Sequence, residues 1–265
     1  MPGPARSDVL AHERGFAHEL ADLAAGIASA GPVHGPAART KVDGTPVSEI
    51  DTGVERALRD TVARRYPRDA FLGEEDGLTG DGDRTWIVDP IDGTANLVDG
   101  VPLWSVLIGL VVDGRPALGV ADVPGLGERY EAVRGEGAMM NGRPIRVSDV
   151  DRLDGAFVLH SGLEEWLADG AWEGFRDVVT GARRTRGLSD AWGHLLVARG
   201  SADLVLEHEP CGPWDWTAVQ VILEEAGGRI TTLEGASPRP GSGLLSSNGR
   251  LHDEVVERLR RVPVR

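Results

Sequence analysis

The sequence predicts a layered protein that mixes α+β and α/β organisation, and three features predict it. Two amphipathic helical segments open the chain, short apolar strands joined by tight turns follow, and from about residue 150 strands and helices alternate. The change of pattern over 148–154 divides the chain into an N-terminal α+β part, 1–150, and a C-terminal α/β part, 151–265. At 265 residues, 41% of them hydrophobic, the chain can bury a substantial core as one large domain or two small ones.

The elements follow in order. Phe16, Leu20, Leu23 and Ile27 recur at spacings of four, three and four, one stripe of a helix. GPVHGPAART breaks it. A second helix starts near Asp51, which is placed to cap it, and runs through Val54, Leu58 and Val62 to about Tyr66, where Pro67 stops it. FLG and TWIVD read as short strands with polar residues at their exits. SVLIGLVV and PALGVADV, joined by Asp113-Gly114-Arg115, read as a β-hairpin, and GERYEAV and RPIRVS follow with Asn141-Gly142 as another turn. Beyond them come strand AFVLHS, helices over 163–179 and 190–199, strand ADLVLE, a helix over 214–226, strand GRITTL and a last helix over 251–261.

Charge and cysteine content narrow the function. A net charge of −14 and a pI near 4.9 argue against a surface built for nucleic acid or anionic membrane, so an anionic ligand would need local positive charge from a metal or an arginine. Cys211 is alone, which leaves no disulfide framework and no cysteine-based zinc site within one chain, and the reducing cytoplasm is the expected compartment. The N-terminus lacks an apolar signal core, and ADLAAGIASAG carries Asp22 and is too short to span a bilayer. Lys41 is the only lysine among 28 basic residues. Its closeness to Asp43 and Asp51 makes it a candidate to offset carboxylate repulsion, with compositional chance as the alternative.

The stretch TWIVDPIDGTANL, 85–97, concentrates the chemistry. Asp89 sits at a strand exit, Pro90 and Gly93 bend the chain, and the turn brings Asp92 back toward Asp89. The amides of Gly93 and Thr94 are left at the start of a turn or helix, where backbone amides bind phosphate oxygens. Two neighbouring carboxylates need a cation or a proton between them. Oxygen donors without histidine or thiol select Mg²⁺, Mn²⁺ or Ca²⁺ over zinc. The alternative is that Asp92 caps a helix and Asp89 forms a turn. Glu74 of GEE stands at another strand exit and is either a ligand or solvated surface; Asp215 opens an apolar helix and is either a ligand or its N-cap.

Four segments in series, KVDGTPVSEID, GEED, WIVDPIDGTANLVDGVP and PWDWTAVQVILEEAGGRIT, resemble the inositol monophosphatase superfamily of metal-dependent phosphatases over most of the chain. The resemblance implies a five-layered αβαβα sandwich of the inositol monophosphatase and fructose-1,6-bisphosphatase type, a homodimer, and two or three Mg²⁺ ions, with Mn²⁺ able to substitute. By position it implies that Glu74, Asp89 and the Ile91 carbonyl hold one metal, and Asp89, Asp92 and Asp215 a second. Asp51 matches the aspartate that organises the metal site and its waters. Thr94 with Glu74 matches the pair that positions the attacking water, and the Gly93 and Thr94 amides match the phosphate cradle.

Substrate choice rests on the second half. TRGLSDAWGHLLVARGSADLVLEHEP resembles the bacterial histidinol-phosphatase branch, whose aspartate and aromatic after TRG correspond to Asp190 and Trp192. A substrate amine needs a carboxylate partner, which Asp190 and Glu207 could supply beside Asp92, and an imidazole needs stacking or a hydrogen bond. Glu207 also matches the glutamate with which inositol phosphatases meet ring hydroxyls. The alternative for Asp190 is another helix N-cap. Arg186 either assists the phosphate or pairs with a neighbouring acid, and His194 and His208 read as packing or surface. EHEPCGPWD is one residue longer than the family interval, and Ala95 replaces a bulkier or basic residue; neither change touches a metal ligand. The expected activity is hydrolysis of L-histidinol phosphate, with inositol 1-phosphate or a specialised sugar or cyclitol phosphate as the alternative. An inactive regulatory or scaffolding homologue is the non-enzyme reading; retention of both Thr94 and Glu74 argues against it.

Overall fold

The computed structural model describes residues 10–30, 38–40, 46–168 and 171–260. Helix α1 (Ala11–Ser29) buries Phe16, Ala17, Leu20, Ala21, Ala24 and Ala28. The expected apolar stripe is rotated: Leu23 is 36% exposed, because the alanines, not the larger Leu23, allow the helix to approach its neighbours closely. Strands β1 (Ala38–Thr40) and β2 (Pro46–Ser48) pair antiparallel and lead into α2 (Glu49–Arg65). The cap of α2 is Ser48, three residues before the expected Asp51. Its hydroxyl accepts from the Ile50 and Asp51 amides, while Asp51 Oδ2 accepts from the Ser48 amide at 3.0 Å, a reciprocal capping box. Lys41 and Asp43 lie outside the described residues.

The first half continues through β3 (Ala70–Gly73), β4 (Gly77–Thr79), β5 (Arg84–Asp92), α3 (Thr94–Val98), β6 (Ser105–Val112), β7 (Arg115–Val123), β8 (Glu128–Val133), β9 (Ala138–Met140) and β10 (Arg143–Ile145). These strands form one eight-stranded sheet in the order β10-β9-β8-β7-β6-β5-β3-β4, antiparallel except where β3 lies parallel to β5. The expected hairpin is present, with Asp113 and Gly114 both at positive φ, 51° and 71°, as a tight two-residue turn requires. Strand β5 does not end at Asp89. Asp89 faces Leu107 and Asp92 faces Ser105, so one extra residue is accommodated in a bulge between the two aspartates.

The second half contains β11 (Phe157–His160), α4 (Leu163–Ala168), α5 (Trp172–Gly181), β12 (Arg184–Gly187), α6 (Asp190–Ala198), β13 (Leu204–Cys211), α7 (Pro213–Glu225), β14 (Arg229–Thr232), β15 (Ser242–Ser247) and α8 (His252–Leu259). Its sheet runs β12-β11-β13-β15-β14, the first three strands parallel and the last two joining antiparallel. The helix expected over 163–179 is two helices, α4 and α5, which meet where Trp166 stacks on Phe175 at 4.5 Å between ring centroids. Strands β1, β2, β4, β9, β12 and β15 were not expected, because three- and four-residue pieces and SGLLSS carry too little alternating apolar signal and acquire strand structure from sheet pairing.

Three apolar cores separate five layers. One lies between α1 and α2 and the large sheet, built on Phe16, Leu58, Trp86 and Ile108. The second, with Leu107, Tyr130, Leu195, Val205 and Ile222, fills the space around α6 and α7 between the two sheets. The third, with Trp166, Phe175, Leu206 and Val255, lies under α4, α5 and α8. The result is the αβαβα sandwich. No described helix is long and apolar enough to cross a membrane.

Two glycines set the distance of α7 from the large sheet. Gly109 and Gly119 face each other across β6 and β7. A Cβ at Gly119 would stand 2.3 Å from the Ala218 carbonyl oxygen, and one at Gly109 2.5 Å from Thr217 Cγ2. Gly119→Ala is therefore expected to cost about 1–3 kcal/mol by overpacking, read as a lower urea midpoint. Gly26→Ala, on an exposed helical position with nothing within 4 Å, is expected to be neutral or to stabilise by up to about 1 kcal/mol. An unchanged midpoint for Gly119→Ala would mean that α7 shifts without cost.

A second test concerns His252, which is fully buried at the start of α8. Thr231 Oγ1 donates to the Thr232 carbonyl, so His252 Nε2 donates to Thr231 Oγ1 at 2.9 Å, and Nδ1 accepts from Ser247 Oγ at 2.8 Å. Burial, with Arg229 nearby, lowers the imidazole from 6.5 to about 4. Between those values the unfolded chain binds the extra proton, so this stabilisation is present above pH 6.5 and is lost as pH falls toward 4. A His252→Gln variant is expected to show a shallower loss of stability over that window; an identical slope would exclude the imidazole as its source.

Candidate active site

The bulge in β5 and the N-termini of α6 and α7 meet between the two sheets. Asp89, Asp92 and Asp215 each present a carboxylate oxygen there, all within 4.8 Å of one another. Asp89 is 2% exposed and Asp92 8%. Asp89 Oδ1 accepts from the Ile91 amide at 2.9 Å, across the bulge. Asp92 Oδ2 accepts from Ser105 Oγ at 2.7 Å and from the Ala191 amide at 3.0 Å, so it joins β5, β6 and α6 rather than capping α3, whose N-cap is Gly93. Asp215 is the third residue of α7 and accepts from the Gly212 amide at 2.5 Å, which makes it part of the helix cap as well as part of the cluster.

These acids sit together against their own repulsion. Burial first, then Glu74, Asp92, Asp215 and Asp51, pushes the Asp89 carboxyl well above the usual carboxylate range. Asp92 is raised in the same way by burial and by Asp190. Burial, with Glu74, Glu207 and Asp190, raises Asp215 to about 8. Buried like charges at this spacing call for protons or a cation, and the donors are hard oxygens. Asp89, Asp92 and Asp215, with Glu74 nearby, therefore fit a divalent metal ion.

Around them the chain holds further groups in place. Thr94 Oγ1 lies 2.7 Å from Asp51 Oδ1 and 3.0 Å from the Ile91 carbonyl, tying α3 to α2 and to the bulge. Gly93 takes the left-handed conformation, φ 80°, that turns β5 into α3. Glu55, missed in the sequence, is fully buried one turn after Asp51 on α2. Its carboxylate accepts from the amides of Glu75 at 2.7 Å and Asp76 at 2.9 Å, and so fixes the turn that follows Glu74. Gly73 leaves room for it: a Cβ there would stand 2.2 Å from the Glu55 carboxyl carbon. The i, i+4 spacing of two acids on one helix face was the available signal. Ser105 had none, because its partner comes from a neighbouring strand.

A cavity of about 480 Å³ lies alongside, lined in part by Asn96, His160, Ser161, Asp190 and Trp192. Asp190 is the first residue of α6, with Ser189 at the N-cap position, so it is not the cap. It holds a left-handed φ of 53°, uncommon for aspartate, and its Oδ2 accepts from Asn96 Nδ2 at 3.1 Å. Burial first and Glu207 second raise its carboxyl to about 6. Glu207 is 6% exposed on β13 and pairs with His194. Trp192 donates through Nε1 to Glu128 Oε2 at 3.2 Å, which fixes its ring at the cavity wall. Arg186 is not brought to the cluster by any described hydrogen bond: it is exposed on edge strand β12 and donates to the Thr185 carbonyl at 2.7 Å. Ahead of Asp215, β13 shifts register against β15 between Glu207 and Cys211.

This arrangement has relatives. The chain is 43% identical over 227 residues to a histidinol-phosphatase of Streptomyces coelicolor, covering 82% of this chain and 85% of that protein. It is 42% identical over 229 residues to a histidinol-phosphatase of Mycobacterium tuberculosis, covering 83% and 86%. Among solved structures, an IMPase of Thermotoga maritima superposes with a TM-score of 0.84 at 31% identity over 94% of this chain and 96% of that one. The profile of the inositol monophosphatase family matches residues 9–263, and with these identities the chain belongs to the inositol monophosphatase family.

Proposed function

We propose that the protein is a Mg²⁺-dependent phosphomonoesterase whose substrate is L-histidinol phosphate. The observation that carries the reading is a buried acidic cluster with raised carboxyl pKa values beside a cavity that holds Asp190 and Trp192. The names of the two histidinol-phosphatases support the choice of ester. On this reading residues 1–150 bring most metal ligands, and residues 151–265 bring Asp215 and the side that meets the leaving group. We extend it to a cytoplasmic homodimer.

Glu74, Asp89, Asp92, Asp215 and the Ile91 carbonyl would hold the ions. When bound, such ions supply an acidified water, neutralise phosphate charge and stabilise the leaving oxygen. The chain's own groups do the rest. Thr94, anchored on Asp51, and Glu74 orient the water that attacks phosphorus, and the Gly93 and Thr94 amides receive phosphate oxygens. The water oxygen forms the new P–O bond as the ester P–O bond breaks, and the alcohol leaves with a proton. Asp190 and Glu207 pair with the substrate amine while Trp192 offers an aromatic wall to its imidazole. Arg186 would need to leave the Thr185 carbonyl to reach a phosphate.

Phosphate release from histidinol phosphate, inositol 1-phosphate and fructose 1,6-bisphosphate, with and without Mg²⁺, tests the reading. The expected outcome is Mg²⁺-dependent turnover with histidinol phosphate strongly preferred. Asp92→Asn should lower kcat about 100-fold or more and remove the rise in Tm that Mg²⁺ gives the parent protein. Near-parental turnover in that variant would sink the metal assignment. Preference for inositol 1-phosphate would favour Glu207 as a partner of ring hydroxyls.

Asp190→Asn is expected to raise KM for histidinol phosphate about tenfold or more, by loss of a charge-assisted contact, and to leave inositol 1-phosphate hydrolysis within about threefold. Equal losses on both esters would make Asp190 a structural residue.

A further inference from the structure

Helix α6 carries a buried histidine to which hydrolysis itself assigns no task. His194 is 2% exposed, with Nε2 2.6 Å from Glu207 Oε2 and Nδ1 2.6 Å from Ser246 Oγ. An ionised carboxylate can only accept, so Nε2 carries hydrogen and donates to Glu207, while Nδ1 faces the Ser246 hydroxyl. One ring thus ties α6 to β13 and β15, neighbouring strands of the small sheet. A leucine would fill apolar interior at less desolvation cost, so a polar ring here is matched to a polar partner.

Glu207 needs such a hold. It is the last residue of β13 in regular register with β15; beyond it the pairing shifts and resumes only at Cys211. Regular pairing with β15 thus ends at Glu207; beyond it the His208 amide donates to Ser161 Oγ at 3.1 Å before pairing resumes at Cys211. On α6, Asp190 and His194 are four residues apart and share a helix face. The same helix presents one carboxylate directly to the cavity and grips the other through an imidazole. Its Ala191 amide also donates to Asp92, so the grip is registered to the acidic cluster.

We propose that His194 is a positioning residue that fixes the Glu207 carboxylate beside Asp190, so that the two together select phosphate esters whose leaving group presents an ammonium or a comparable strong hydrogen-bond donor. The inference rests on the phosphomonoesterase reading above. His194 contacts no reacting atom; its effect falls on recognition of the leaving group. Ser246, through its hydroxyl, sets the ring orientation.

The test is steady-state kinetics of the parent, His194→Leu, His194→Gln and Ser246→Ala with histidinol phosphate and inositol 1-phosphate in Mg²⁺. His194→Leu is expected to raise KM for histidinol phosphate about tenfold with kcat within about threefold, and to change KM for inositol 1-phosphate less. His194→Gln, whose amide can still donate to Glu207, should restore most of the lost affinity, and Ser246→Ala should fall between it and the parent. An unchanged KM, an equal rise on both esters, or a loss of kcat that glutamine does not relieve would overturn the role. If the parent prefers the neutral ester, the histidinol phosphate reading fails by itself. His194 is then judged on that ester: a glutamine-rescued rise in KM supports the positioning role, and an unchanged KM refutes it.

Discussion

Mutual repulsion among buried carboxylates is the constraint around which this molecule is arranged. Asp89, Asp92 and Asp215 lie within 4.8 Å of one another, with Asp51, Glu74 and Asp190 contributing to the same field. Burial of isolated acids would be resolved by moving them apart or into water. Here each is tethered: Asp89 by the Ile91 amide of its own strand, Asp92 by Ser105 of β6 and the Ala191 amide of α6, and Asp215 by the Gly212 amide that caps its own helix. The tethers keep the acids together, and a divalent ion held there would relieve the repulsion they leave.

Those tethers hold only if the layers are in register. The Gly109–Gly119 pair lets α7 lie directly on the large sheet, which carries Asp215 to the bulge that carries Asp89 and Asp92. Helix α6 lies beside α7 in the same layer and adds Asp190 and His194. The proposed catalytic and leaving-group residues thus come from both halves of the chain. Their separation is set by close packing between sheets rather than by flexible loops.

Function divides along the same line. In the proposed function the acids from β5 and α7 take the phosphate side, where the chemistry is common to phosphomonoesterases. Asp190 and Trp192 line the cavity, with Glu207 close enough to Asp190 to raise its carboxyl; on the proposed reading this is the side that meets the leaving group, which differs between substrates. A register shift after Glu207 separates that residue from Asp215, which sits in the first turn of α7.

Local chemistry was legible from the sequence because it is carried by contiguous residues. The DPIDGT turn, the Asp113-Gly114 hairpin and the principal helices depend on short-range spacing, turn propensity and apolar period, whereas the grouping of Glu74 and Asp215 with Asp89 and Asp92 was implied by the resemblance of separate segments to a known family. Even there, the cap of α2 moved from Asp51 to Ser48, because capping is decided by which side chain reaches the free amides. Strands β12 and β15 stayed hidden because neighbours in the sheet, rather than their own pattern, make them strands. Ser105, the Glu55 support of the Glu74 turn and the His194 grip on Glu207 were decided by the tertiary structure. Each joins residues from separate elements, and a hydrogen bond across 13 or more residues leaves no periodic trace in a single chain.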